Sequence, residues 1–255
     1  MPSPAPSDSK SQPSADRTTA VAAVVVVAAG SSQRMVAAGE GGARKPLLLL
    51  DDRTLLEHAC ANLAAARTVG HVIVVGHPDD VGLLEELRTT SPSMAGVVAI
   101  VPGGAERTDS VRAGVAACPT DVQVIAVHDA ARPLVDPDRV DAVVLAALEH
   151  GGALLGIPAR DTLKWTEDGH RVARTLERRY VWAAHTPQAF RADAFRRVLE
   201  AAIGEGARAT DDAALWERYE GPPELVEDLP TNFKVTTPPD LELARALLAS
   251  RGGRA

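Results

Sequence analysis

The sequence predicts an α/β protein built on a doubly wound, mostly parallel sheet with helices on both faces. Short continuous apolar runs, rich in β-branched residues, alternate along the chain with Ala- and Leu-rich segments of helical periodicity. Continuous runs are typical of strands buried on both faces of a parallel sheet, and their alternation with helices indicates a doubly wound fold. The predicted strands are Val21–Val27, His71–Val75, Val97–Val101, Val122–Val127 and Ala153–Ile157.

Capping residues mark the helices between these strands. Thr54 and Glu57 have the spacing of a capping box, which predicts a helix from there to about Arg67. A second helix is expected to begin at Asp136-Pro137 and to stop at Gly151-Gly152, since proline favours a first turn and glycine a helix end. In a sheet of this type, ligands bind where loops leave the carboxyl ends of the strands.

The chain is expected to form one domain, residues 20–250, whose last helix opens at Thr237-Pro238-Pro239-Asp240. Residues 1–19 are rich in Ser and Pro and lack the apolar core of a secretion signal, which predicts a disordered tail. Residues from about 158 to 190 interrupt the alternation of strands and helices: they are polar, rich in Arg and carry two of the three tryptophans. We expect this segment to form a protruding arm.

Composition and charge exclude several classes of protein. The 255 residues include 27 Lys and Arg against 34 Asp and Glu, a net charge of −7, which argues against a protein that coats nucleic acid or an anionic membrane. The longest apolar run, Val21–Ala29, has about half the length of a membrane-spanning helix. Cys60 and Cys118 lack the spacing of a zinc site or a disulfide framework. We therefore expect a cytoplasmic protein without nucleic-acid or membrane partners.

The loop after the first strand has the composition of a phosphate-binding turn. Ala28-Ala29-Gly30 lets the backbone approach a ligand closely, and successive N–H groups in such a turn bind anions. Arg34 and Lys45 follow and supply cations for a nucleoside triphosphate. The loop has neither the Gly-Lys-Ser/Thr of a P-loop nor the Gly-x-Gly-x-x-Gly of dinucleotide-binding folds. The sequence thus favours a different nucleotide-binding class.

Seven motifs in a fixed order carry a more specific resemblance. Together they resemble the 2-C-methyl-D-erythritol 4-phosphate cytidylyltransferases, a family of Rossmann-like sugar nucleotidyltransferases. The resemblance implies transfer of a cytidylyl group from CTP to methylerythritol phosphate, with release of pyrophosphate, in non-mevalonate isoprenoid biosynthesis. The motifs are Ala28-Ala29-Gly30 with Arg34-Met35 and Lys45; Gly103-Gly104 with Glu106-Arg107 and Asp109-Ser110-Val111; His128-Asp129-Ala130-Ala131-Arg132-Pro133; Arg160-Asp161-Thr162 with Lys164; Thr186-Pro187-Gln188 with Phe190; Thr210-Asp211-Asp212; and Asn232-Phe233-Lys234-Val235-Thr236.

The resemblance also implies roles for individual residues. Arg34, Lys45, Arg178 and Lys234 would be catalytic. Nucleotide binding would fall to Ala28, Ala29, Gly30, Gly103, Gly104, Ser110 and Asp129. Arg132, Thr162, Arg178, Thr186 and Lys234 would hold the alcohol phosphate. The Asp129 carboxylate, at the end of a predicted strand, would also hold Mg²⁺ or another divalent cation. The arm would cross to a second subunit, so that a homodimer shares its active sites.

The sequence departs from the family pattern at several points and leaves alternatives open. Ala105 stands where an acidic residue is often found, the loop before Lys45 is longer than usual, and Lys45 is followed by Pro-Leu. We expect Lys45, rather than Arg44, to be the catalytic cation. Asp211 and Asp212 could assist the metal or cap a helix, and we favour capping.

Two other functions remain compatible with the motifs. The first is a cytidylyltransferase for another polyol phosphate, such as ribitol 5-phosphate, although the Ala130-Ala131 pair favours methylerythritol phosphate. The second is a nucleotide-binding protein without turnover. The presence of cations suited to both the leaving and the attacking phosphate argues against the second.

Overall fold

The computed structural model describes residues 20–30, 44–207 and 209–252. Within them, seven strands form one central sheet: β1 (Ala22–Val27), β4 (Val69–Gly76), β5 (Val97–Pro102), β6 (Val124–Asp129), β7 (Gly152–Pro158), β10 (Trp182–Arg191) and β11 (Glu224–Glu227). Their order across the sheet is β11-β7-β10-β6-β1-β4-β5. Two small hairpins pair β2 (Leu49–Leu50) with β3 (Arg53–Thr54), and β8 (Lys164–Trp165) with β9 (Arg174–Thr175).

The sheet is mostly parallel, as predicted. β1 pairs in parallel with β4 on one side and with β6 on the other, and β4 pairs in parallel with β5. β10 runs antiparallel to both of its neighbours, β6 and β7. All five predicted strands are present and form β1, β4, β5, β6 and β7. The parallel group brings the carboxyl ends of β1, β4, β5 and β6 to one edge of the sheet.

Helices cover both faces of the sheet. They are α1 (Leu55–Ala64), α2 (Val81–Thr90), α3 (Arg107–Ala116), α4 (Pro137–His150), α5 (Ala192–Gly204), α6 (Asp212–Tyr219) and α7 (Pro238–Gly252). The capping box at Thr54 and Glu57 forms, although α1 ends at Ala64, a few residues before the expected end. Asp136 caps α4, and Gly151 ends it with a φ of 92°, a left-handed conformation that favours glycine.

Alternate side chains of each strand supply two separate cores. Val24 and Val26 point to the face covered by α1 and α4, whereas Val25 points to the face covered by α3 and α5. Because both faces of β1 are buried, its run of valines is continuous rather than alternating. A third apolar cluster packs α7 against β2 and includes Val235. This cluster holds the backbone on one side of Lys234.

The segment expected to form an arm has two parts. Residues 159–181 carry the β8–β9 hairpin and are largely exposed, as expected. From His185 to Phe190, however, the chain is buried within β10, near the middle of the sheet. The sequence pattern did not predict this strand because His185, Thr186 and Gln188 are polar and interrupt the apolar run. Their side chains are hydrogen-bonded in the interior, which makes their burial tolerable.

Among the residues that the structure describes, every helix is too short or too polar to cross a bilayer.

Two expectations, the disordered tail and the single domain, are not tested by the described residues. The expected tail, residues 1–19, lies outside the described residues. The tail and the single domain of residues 20–250 therefore stay predictions.

Candidate functional site

A cleft of about 840 Å³ opens at the carboxyl edge of the parallel strands. The loops that follow β1, β4, β5 and β6 border it, which is the location that a doubly wound fold predicts for a ligand. Residues from widely separated segments line the cleft. They are Val27, Ala28, Ala29, Gly30, Lys45, Pro46, His77, Pro78, Gly103, Gly104, Ala105, Glu106, Arg107, Ser110, Asp129, Ala131 and Lys234.

The first loop contributes both backbone and cations to this cleft. Ala28, Ala29 and Gly30 line it directly after β1. Lys45 also lines it, at the start of a short 3₁₀ turn, Lys45–Leu47. Arg44 instead forms ion pairs with acidic residues that follow β4. Of these two neighbouring cations, Lys45 lines the cleft and Arg44 does not, and the catalytic role expected for Lys45 stays a prediction. Arg34 lies outside the described residues.

The loop after β5 approaches the first loop so closely that it requires glycine. A Cβ atom on Gly103 would clash with the Cβ atom of Ala29, well inside van der Waals contact. The Gly104 N–H donates to Ser110 Oγ over 3.1 Å, and the Ser110 hydroxyl donates to the Glu106 carbonyl over 3.2 Å. These contacts hold a stretch of backbone at the cleft, and the role in nucleotide binding expected for Gly103, Gly104 and Ser110 stays a prediction.

Asp129 ends β6 between two cationic side chains. Its Oδ2 accepts a hydrogen bond from Lys234 Nζ over 2.8 Å, and its Oδ1 lies 3.9 Å from Arg107 Nη2. Burial alone would raise the pKa of Asp129, but the charges of Lys234 and Arg107 hold that pKa below its ordinary value. Asp129 is therefore an ionised carboxylate at neutral pH.

Arg107 is a functional candidate to which the sequence interpretation gave no role. It lies in the first turn of α3, lines the cleft, and its Nη2 donates to Asp212 Oδ2 over 2.7 Å. Burial alone would lower the pKa of Arg107, but the charges of Asp212 and Asp129 raise it above its ordinary value, so it stays cationic. The sequence feature that could have indicated this role is its place in the Gly103-Gly104 motif, directly after Glu106, the N-cap residue of α3.

The two adjacent aspartates at the start of α6, Asp211 and Asp212, have different partners. Asp211 accepts a hydrogen bond from the Ala214 N–H and caps α6, as expected. Asp212 is buried against Arg107, an interaction that the sequence did not indicate. Within the described parts of the chain, no cluster of three or more His, Cys, Asp or Glu side chains could hold a metal ion.

Thr186 lies behind Asp129 and supports its backbone. Thr186 Oγ1 accepts a hydrogen bond from the Asp129 N–H over 3.1 Å and lies 3.1 Å from His128 Nδ1. Burial lowers the pKa of His128 to about 4, so its ring is neutral at pH 7. A neutral ring has one donor and one acceptor: Nε2 donates to the Arg132 carbonyl, and Nδ1 accepts from the Thr186 hydroxyl. The Thr186 hydroxyl therefore positions Asp129.

Three other residues expected at the alcohol phosphate, Arg132, Thr162 and Arg178, are not among the residues that line the cleft of this chain. Arg132 is buried, and its guanidinium donates to the backbone carbonyls of Asn232 over 2.7 Å and Ala184 over 3.4 Å. Thr162 and Arg178 are exposed on the arm, where Arg178 donates to the Arg160 carbonyl. Lys234, which is also expected at the alcohol phosphate, does line the cleft. The substrate roles of Arg132, Thr162, Arg178 and Thr186 stay predictions.

Comparison with known sequences gives a consistent result. A family model described as 2-C-methyl-D-erythritol 4-phosphate cytidylyltransferase matches residues 22–250. The chain is 39% identical over 197 residues to an enzyme of that name from Pelotomaculum thermopropionicum, covering 77% of this chain and 83% of the relative. It is 41% identical over 199 residues to one from Frankia casuarinae, covering 77% and 71% of the two chains.

Solved structures show the same fold. A 2-C-methyl-D-erythritol 4-phosphate cytidylyltransferase from Thermus thermophilus superimposes with a TM-score of 0.68 at 32% identity, covering 88% of this chain and 97% of that one. A 4-diphosphocytidyl-2C-methyl-D-erythritol synthase from Anaerococcus prevotii superimposes with a TM-score of 0.77 at 23% identity, covering 89% and 96%. At that identity the second likeness concerns the fold alone.

Proposed function

We propose that the cleft is the active site of this chain, which belongs to the 2-C-methyl-D-erythritol 4-phosphate cytidylyltransferase family. The reaction transfers a cytidylyl group from CTP to 2-C-methyl-D-erythritol 4-phosphate, releases pyrophosphate and yields 4-diphosphocytidyl-2-C-methyl-D-erythritol, a step of isoprenoid biosynthesis. One observation carries the assignment. Lys45, Asp129 and Lys234, from three distant segments, line a single cleft at the carboxyl edge of the sheet.

The chemistry requires two anions to meet. A phosphate oxygen of the alcohol phosphate attacks the α-phosphorus of CTP, in line with the departing pyrophosphate. Catalysis therefore rests on positioning and on neutralising charge, with no covalent enzyme intermediate. In our proposal Lys45 stabilises the charge that develops on the reacting triphosphate, together with Arg34. Lys234 attracts the attacking phosphate to the same place.

Asp129 fits a divalent cation that arrives with the nucleotide. Mg²⁺ prefers oxygen ligands and is commonly held by one or two carboxylates together with substrate phosphates. The ionised Asp129 carboxylate at the cleft provides such a ligand. When bound, the ion would neutralise phosphate charge during the transfer. Lys234 and Arg107 keep the carboxylate ionised and in place.

The activity is tested by following pyrophosphate release from CTP with alternative acceptors. We expect release with 2-C-methyl-D-erythritol 4-phosphate to exceed release with ribitol 5-phosphate by on the order of 10²-fold in kcat/KM, the discrimination that a difference of about one carbon in a fitted pocket typically gives. Replacing CTP by ATP should also abolish the signal. Equal rates with the two alcohol phosphates would contradict the proposed specificity, and CTP binding without any turnover would indicate a silent nucleotide-binding protein.

We further propose that two copies of the chain form a homodimer through the arm, residues 159–181. Trp165, Val172 and Tyr180 are large apolar side chains on the arm, with exposed fractions of 48%, 61% and 70%. Exposed apolar groups concentrated on one protruding segment are typical of an interaction surface. Thr162 and Arg178 lie on the same segment and do not line the cleft of their own chain, which suits a contribution to the neighbouring active site.

A shared active site predicts complementation between inactive variants. Lys45→Ala and Arg178→Ala should each be nearly inactive, whereas mixing them under conditions of subunit exchange should restore about a quarter of wild-type activity. The reason is that half of the chains form heterodimers in which one of the two sites is intact. Activity is measured alongside subunit exchange, followed by mass spectrometry of tagged chains. Demonstrated exchange without recovery would contradict sharing.

A further inference from the structure

Arg44, which the sequence interpretation set aside, makes a cluster of contacts next to Lys45. Its Nη2 donates to Asp79 Oδ2 over 2.8 Å and to His77 Nδ1 over 2.8 Å, and its Nε lies 3.3 Å from Asp80 Oδ2. These three partners follow the carboxyl end of β4. The Arg44 side chain is about three-quarters shielded from solvent, with an exposed fraction of 26%. One guanidinium thus bridges two segments that both border the cleft.

The bridge holds the turn from which Lys45 extends. The Arg44 carbonyl accepts from the Leu47 N–H over 2.8 Å, and the Lys45 carbonyl accepts from the Leu48 N–H over 3.1 Å, which closes the turn. On its C-terminal side the turn is anchored by the buried side chains of Pro46 and Leu48. On its N-terminal side, Arg44 ties it to the loop after β4. A three-residue turn is weak by itself, so the contacts at its two ends determine its conformation.

We propose that Arg44 is a positioning residue that acts through the backbone of Lys45, and that the His77–Asp80 loop is its anchor. The inference rests on the proposed function, because it assumes that Lys45 acts on the triphosphate. A lysine has a long flexible side chain, so the reach of its ammonium group depends on the backbone that carries it. Displacement of a catalytic group by about 1 Å can lower a rate by up to about 10²-fold.

Two variants separate positioning from direct contact with CTP. Arg44→Met removes the guanidinium, whereas Asp79→Asn combined with Asp80→Asn keeps Arg44 and weakens its anchor. Positioning predicts that each variant lowers kcat by about tenfold with little change in the KM for CTP, and that combining them adds little further loss. Simple electrostatics predicts the opposite effect for the aspartate variant, since removing negative charge near the cleft should favour CTP.

Amide hydrogen exchange supplies a readout that does not depend on activity. In both variants the Leu47 and Leu48 amides should exchange about tenfold faster, because the turn opens more often. Arg88→Met is the matched control: Arg88 is paired with Glu85 on α2 over 2.7 Å, and its loss should change neither kcat nor exchange in the turn.

The outcomes distinguish this inference from the proposed function. Unchanged exchange and unchanged kcat in both variants would overturn the positioning role while leaving the proposed function intact. An increase in the KM for CTP confined to Arg44→Met would overturn it as well, since that result indicates a direct contact. If Lys45→Ala itself retains full kcat, the proposed function of Lys45 fails, and the inference built on it falls with it.

Discussion

Replacing Lys45 by alanine should lower kcat on the order of 10²-fold or more, the magnitude typical of losing a group that stabilises developing charge. The KM for the alcohol phosphate should change little, because Lys45 acts on the nucleotide side of the reaction. Steady-state kinetics with each substrate varied in turn provide the measurement. The same loss is predicted for Arg34→Ala from the sequence pattern, although Arg34 lies outside the described residues.

The separate effects of Lys45→Ala on kcat and on the KM for CTP distinguish between two roles for Lys45. An increase in the KM for CTP at unchanged kcat would mean that Lys45 binds the ground state and the transition state equally, contrary to the proposed mechanism. Arg88→Ala serves as the control, since it removes a cation from the surface of α2. It should retain wild-type kinetics.

Replacing Asp129 by asparagine should also lower kcat on the order of 10²-fold, and it should change how CTP binding depends on Mg²⁺. Without Mg²⁺, the variant should bind CTP at least as tightly as the wild type, because a carboxylate that repels the triphosphate has been removed. With Mg²⁺, the wild type should gain affinity and the variant should gain much less. Calorimetry of CTP binding with and without Mg²⁺ measures both effects.

Asp193→Asn is the matched control for this experiment. Asp193 is an exposed carboxylate on α5, paired with Arg197 over 3.2 Å. Its replacement should leave both the affinity for CTP and its Mg²⁺ dependence unchanged. An Asp129→Asn variant that keeps the full Mg²⁺ enhancement would contradict a role for Asp129 as a metal ligand.

The parallel part of the fold was predictable because its strands are apolar on both faces. Val24, Val25 and Val26 form one continuous run, and such a run has few alternatives to a doubly buried strand. The helix ends at Thr54, Asp136 and Gly151 could also be predicted, because capping depends on residues that are close together in sequence.

β10 and the partners of Arg107 could not be predicted in this way. Burial of Thr186 and Gln188 is tolerated because His128, Asp129 and Asp211 lie beside them in the folded chain. Arg107 and Asp212 are 105 residues apart along the chain, and neither residue type alone indicates the other. A polar side chain can be buried only where hydrogen-bonding partners surround it. Partners that lie far apart in sequence cannot be predicted from a local sequence pattern.

By itself, the sequence predicted the family and the five apolar strands that form β1, β4, β5, β6 and β7, and it singled out Lys45, Asp129 and Lys234, which line one cleft. These features depend on local apolar periodicity and on the order of short motifs. Only the tertiary structure decided that Lys234 pairs with Asp129, that Arg107 is held by Asp212 and that Arg44 is anchored after β4. The physical reason is that charge–charge distances arise from the packing of segments far apart in the chain, and those distances determine what each charged group can do.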